Sequence, residues 1–119
     1  MKAASPSSAT LSATRALAAR VAIEYPTQRT ILFGSRARGT AQAESDADVT
    51  VILKGQPGPF IKTEMAMNDI AYDILLDTGI SIQPLPVSES EWAYPERYSN
   101  PHMLHNISVE GITLWMLQN

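Results

Sequence analysis

The chain has 119 residues, 45% of them hydrophobic and 18% charged, which suits one compact core and leaves little length for a second. Nine Lys plus Arg against twelve Asp plus Glu give a formal charge of -3, without the broad basic field of a general nucleic-acid binder. The absence of cysteine excludes disulfides, thiolate metal sites and a thiol nucleophile, and no apolar run approaches the roughly 20 residues needed to cross a bilayer.

Residues 1–21 hold Lys2, Arg15 and Arg20 with several serines and no acid, a faint likeness to a transit peptide. They read instead as a polar tail over 1–9 leading into a single domain over 10–119, and a cytoplasmic location is expected. Residues 10–25 are rich in Ala, Leu and Arg and stop at Pro26, which predicts a helix. Leu11, Leu17, Ala18, Val21 and Ala22 approximate its core-facing stripe. Residues 30–33 predict a short buried strand ending at Gly34, and 48–54 a second strand rich in β-branched residues. After a Pro/Gly loop, Thr63, Met67, Ile70, Ala71, Ile74, Leu75 and Thr78 trace a long amphipathic helix stopped by Gly79. Residues 80–87 alternate as a third strand, which Pro84 and Pro86 confine to a sheet edge. Ser88 and Glu91 fit a capping box before a short helix carrying Trp92. A helix over 102–110, ended by Gly111, and a short strand over 112–115 complete the chain. This αβαβαβα order predicts an α/β (α+β) fold, with helices packed on a small mixed sheet.

The chemistry concentrates between Phe33 and Thr50. Gly34 and Ser35 directly follow an apolar strand, where glycine admits a bulky anion close to the backbone and the serine hydroxyl donates to a phosphate oxygen. Arg36 and Arg38 offer positive charge nearby, and Gly39 lets the chain turn back. Asp46 and Asp48 then open the second strand two residues apart, so their carboxylates leave one face about 6.6 Å apart. Two neighbouring carboxylates repel unless a cation sits between them, and oxygen-only ligands suit Mg²⁺ with phosphate and water. Each part alone is commonplace, since Gly-Ser is usually a turn and Asp-x-Asp usually caps or turns. Their order is what points to phosphoryl chemistry, with a pair of ions clamping an in-line displacement at phosphorus.

This segment resembles the minimal nucleotidyltransferases of the DNA polymerase β-like nucleotidyltransferase superfamily. The family pattern is Gly-Ser after the first strand and Asp-x-Asp about eleven residues on, here Gly34, Ser35, Asp46 and Asp48. The resemblance implies the nucleotidyltransferase fold and transfer of a nucleotide, AMP from ATP, with two Mg²⁺ ions held by catalytic Asp46 and Asp48. It implies that Gly34, Ser35 and Arg38 bind the nucleotide's phosphates. It also implies a third carboxylate on the third strand, where alternation instead brings Ser81 and Gln83 to one face, with Asp77 just before the strand. Gln83 or Asp77 is the substitute expected there. Larger relatives carry a helical acceptor domain, so the acceptor platform is expected from another chain. Minimal members pair with a small helical HEPN protein as antitoxin and toxin, and a homo-oligomer is the other arrangement. The alternative reading is a catalytically silent module of the same fold that neutralises or scaffolds its partner.

Other residues read more simply. His102 and His105 face solvent or a partner, Trp92, Tyr94, Tyr98 and Trp115 pack a small C-terminal layer or a subunit contact, and Lys54 and Lys62 flank the Pro/Gly loop, where either could reach a triphosphate but exposed lysines usually reach only water.

Overall fold

A computed structural model describes residues 5–118; residues 1–4 of the expected tail lie outside them. Ser7 caps the first helix, α1 (Ser8–Glu24), its hydroxyl accepting from the Thr10 amide at 3.1 Å, so the helix starts two residues earlier than its composition predicts. Strand β1 (Thr27–Phe33) leads into a five-residue helix, α2 (Gly34–Arg38), and a loop to β2 (Ala47–Leu53). Helix α3 (Phe60–Thr78) crosses to β3 (Ile82–Ser88), followed by α4 (Glu89–Ala93), a 3-10 turn (Pro95–Arg97), α5 (Pro101–Glu110) and β4 (Ile112–Met116).

The four strands form one mixed sheet in the order β3-β2-β1-β4. β1 is central and antiparallel to both neighbours, whereas β2 and β3 run parallel across the α3 crossover. Pairing on both sides explains why β1 extends back to Thr27 through polar Gln28 and Arg29, which no apolar run could have announced. β3 is an edge strand, as its prolines require. The Ala47 amide donates to the Ser81 carbonyl at 2.8 Å, so odd-numbered residues of β3 address β2 and Pro84 and Pro86 turn their missing N–H outward.

Two apolar layers hold the sheet. On one face Leu17 and Val21 of α1 and Met67, Ile70 and Ile74 of α3 pack on Leu32, Val49, Val51 and Ile82. On the other, Leu104 and Ile107 of α5 cover Ile31, Ile52 and Val87, with Trp92 and Tyr98 at the margin. Burying each such aliphatic side chain contributes roughly 1.5–3 kcal/mol. The expected capping box is present: Ser88 and Glu91 satisfy each other's backbone amides at the start of α4. Tyr94 is exposed, with the Arg97 guanidinium 4.4 Å from its ring centre. Among the described residues, no helix is long and apolar enough to cross a membrane.

Candidate nucleotide and metal site

Alternation along β2 sends Ala47, Val49 and Val51 into the α1/α3 layer and leaves Asp48 on the α5 face. Asp48 pairs with Phe33 on one side and with Gln83 on the other. Its cross-strand partner, Phe33, is extended, and Gly34 then takes φ +76° to swing the backbone into α2. Only glycine adopts that angle without strain. A Cβ on Gly34 would sit 2.5 Å from Oδ2 of Asp48, so the turn and the carboxylate touch through a space that any side chain would fill. Ser35 is half-buried beside it, and Asp46 is exposed just before the strand.

Burial raises the Asp48 carboxyl above its ordinary range, the Asp46 charge raises it further, and the Arg38 guanidinium opposes both. The Asp46 contribution is the like-charge repulsion that a cation bound between two carboxylates would offset. Among the described residues no group of three or more His, Cys, Asp or Glu side chains comes together. A divalent ion here would therefore rest on two aspartates, with phosphate and water oxygens completing its shell. That donor set fits Mg²⁺, which usually binds through one or two carboxylates plus substrate phosphate.

The two arginines beside the turn have separate partners. Arg36 donates to the Ser45 carbonyl at 2.8 Å, the Ala43 carbonyl at 3.1 Å and the Thr10 hydroxyl at 3.0 Å. It ties α2 to the loop before Asp46 and to α1. Arg38 instead lies at the exposed end of α2, 3.4 Å from the Glu110 carboxylate at the end of α5. These two residues flank a hollow of about 180 Å³ that also includes Gly34 and Asn106. Glu110 escaped the sequence reading because it meets Arg38 across 72 positions of chain.

Gln83 is exposed and in register with Asp48, so it occupies the place beside the aspartate on the third strand. Asp77 lies on α3, which packs the opposite face of the sheet, and it is not among the charges acting on Asp48. Lys54 and Lys62 line a cavity at the far end of β2 and are not part of this site. His102 and His105 are both exposed on α5.

Comparison with known proteins agrees with this layout. A model of the family "Polymerase beta, Nucleotidyltransferase" matches residues 22–91, more than half of the chain and the stretch from α1 to α4. A Methanocaldococcus jannaschii protein named "Putative protein adenylyltransferase" is 44% identical over 57 residues; the match covers 48% of this chain and 39% of that relative. The crystal structure of a "putative nucleotidyltransferase" from Sulfolobus solfataricus superposes with a TM-score of 0.57 at 20% identity, covering 90% of this chain and 80% of that one. A mutant of the toxin–antitoxin complex MntA–HpeT superposes with a TM-score of 0.61 at 15% identity, covering 87% and 74%. At those identities the two structures speak for the fold.

Proposed function

The chain belongs to the polymerase beta nucleotidyltransferase family as a minimal nucleotidyltransferase, and from that premise we propose that it transfers AMP from ATP to a hydroxyl of a helical partner protein. The observation that carries this is the contact between the Gly34 turn and the Asp48 carboxylate. On this proposal the turn would seat a triphosphate beside the carboxylate that would hold its metal.

In this reading the acceptor oxygen attacks the α-phosphorus, the bond to the departing pyrophosphate breaks, and the acceptor's proton leaves to water. Asp46 and Asp48 would hold Mg²⁺, which when bound would supply the positive charge that shields the phosphate oxygens from the nucleophile. Gly34 keeps the backbone low enough for the phosphates to approach, and the Ser35 hydroxyl donates to one of them. Arg38 turns from Glu110 towards the pyrophosphate as negative charge develops there. Gln83 offers a carbonyl oxygen to orient a water or the acceptor, but it cannot take the proton.

The partner is a HEPN-type toxin, with this chain as its antitoxin in the cytoplasm. The fold shared with MntA–HpeT and the partial match to an adenylyltransferase support that assignment. The test is co-expression with a HEPN-type helical protein as candidate partner, followed by labelled ATP and Mg²⁺. Label should appear on the partner and fall at least about a hundredfold in Asp46→Ala, since removing a metal-holding carboxylate forfeits several kcal/mol of charge stabilisation. Absence of label with the wild type, or undiminished label with the variant, rejects the reading.

Gln83 beside Asp48 favours one alternative, a silent module that neutralises its partner by binding alone. Toxin neutralisation that survives the Asp46→Asn, Asp48→Asn double change would select it.

A further inference from the structure

A second cavity, of about 450 Å³, opens at the other end of the sheet. Its floor is made by Leu53, Pro86 and Val87 at the ends of the parallel strands β2 and β3, and its walls by Tyr25, Pro57 and Phe60. Leu53 is five residues from Asp48, about 17 Å along the strand, and packs into the opposite apolar layer. The cavity is therefore separate from the aspartate site in distance along the strand. We propose that it is a binding site for a small organic anion, with a flat apolar body seated between Phe60 and the strand ends and an acidic group held by Lys54 and Lys62.

Size, shape and charge each support this. The volume falls within the roughly 300–1,000 Å³ usual for small-molecule sites, which are mostly apolar with a few convergent polar groups. Pro57, Pro59 and Pro86 fix backbone angles around the rim, so the walls are formed before a ligand arrives. Phe60 stays 45% exposed in the first turn of α3, an aromatic face left without a partner. Lys54 and Lys62 both line the opening, and the ion pairs among the described residues involve neither of them. The cavity also contains one carboxylate, Glu91. Its Oε1 accepts from the Ser88 amide at 3.0 Å and from the Ser88 hydroxyl at 2.9 Å, which commits it to the start of α4. Two lysines against this one engaged acid leave a net positive opening over an apolar floor.

The probe is 8-anilinonaphthalene-1-sulfonate, compared with its neutral parent 1-anilinonaphthalene, on the full chain. Fluorescence should report one saturable site, and backbone amide shifts should be confined to residues 25–27, 53–63 and 86–91. Binding should weaken at least about tenfold for the neutral compound and for the Lys54→Gln, Lys62→Gln variant, because each lost charge-assisted contact is worth over a kcal/mol. Both lysines are exposed, so that variant keeps the fold. Asp46→Asn should leave binding unchanged. Equal affinity for the neutral compound, shifts around Gly34 and Asp48 or along the outer side of α3, or no saturable binding would overturn the proposal. Displacement of the probe by ATP with Mg²⁺ would also overturn it, by making the cavity part of the nucleotide site.

Discussion

Gly34 and Asp48 are locked together: the glycine's missing side chain is the space that the aspartate's Oδ2 borders, 2.5 Å from where a Cβ would stand. Gly34→Ala would have to shift the carboxylate and hold alanine at φ +76°. Expected is a stability loss of about 1–3 kcal/mol and near-complete loss of transfer. Urea unfolding and the labelled-ATP assay read the two effects separately, and an active, fully stable variant would contradict the assignment of this turn.

Asp48 is held above the ordinary carboxylate value of 3.8 by burial first and by Asp46 second. The native state therefore favours its neutral form. Stability from this group is complete below pH 3.8, declines as pH rises through the raised native value, and stays diminished at neutrality. Asp48→Asn removes that loss. With chelator at pH 7 the variant should unfold at higher urea than the parent, and the advantage should vanish below pH 3.8. Millimolar Mg²⁺ should stabilise the parent and leave the variant unmoved.

Gln83→Asp would restore an acid in register beside Asp48. The Mg²⁺ concentration for half-maximal transfer should fall about fivefold or more, since an added carboxylate ligand is worth at least a kcal/mol to a hard cation. Without metal, the extra like charge should lower the unfolding midpoint. A calcium-free magnesium titration followed by calorimetry checks both, and an unchanged metal affinity would place Gln83 away from the ion.

Arg36 and Arg38 should separate cleanly. Arg36→Ala breaks hydrogen bonds to two carbonyls and a hydroxyl, and about 2 kcal/mol of stability should go with them. Arg38→Ala loses only an exposed ion pair, worth about 0–0.5 kcal/mol, so its midpoint should hold. Its KM for ATP should instead rise about five- to tenfold, as expected for one lost charged contact to phosphate. Thermal melts alongside steady-state kinetics distinguish the pair.

The elements that obey a simple period were legible in the sequence. Met67, Ile70 and Ile74 marked the buried side of α3, Pro84 and Pro86 marked an edge strand, and Ser88 with Glu91 marked the start of α4. At the site, the side-chain alternation at Asp48 and at Gln83 was readable because a strand's period of two is strict, whereas Asp46 stands just before β2, outside that period. What stayed hidden depends on distant chain. Arg36 and Arg38 look alike in sequence, and only the folded loop at Ala43 and Ser45 tells them apart. Glu110 beside Arg38 follows from how α5 docks on β1, and the early start of β1 from partners on both sides. Asp77 looked adjacent to the third strand, yet its helix belongs to the other layer.

The prolines of β3 also bear on how the molecule behaves when crowded. With Pro84 and Pro86 both turned outward, that border of the sheet lacks two donors in succession where another chain would have to zip on. Strand-by-strand addition of a second copy at that border is therefore disfavoured, as prolines on an edge strand dictate.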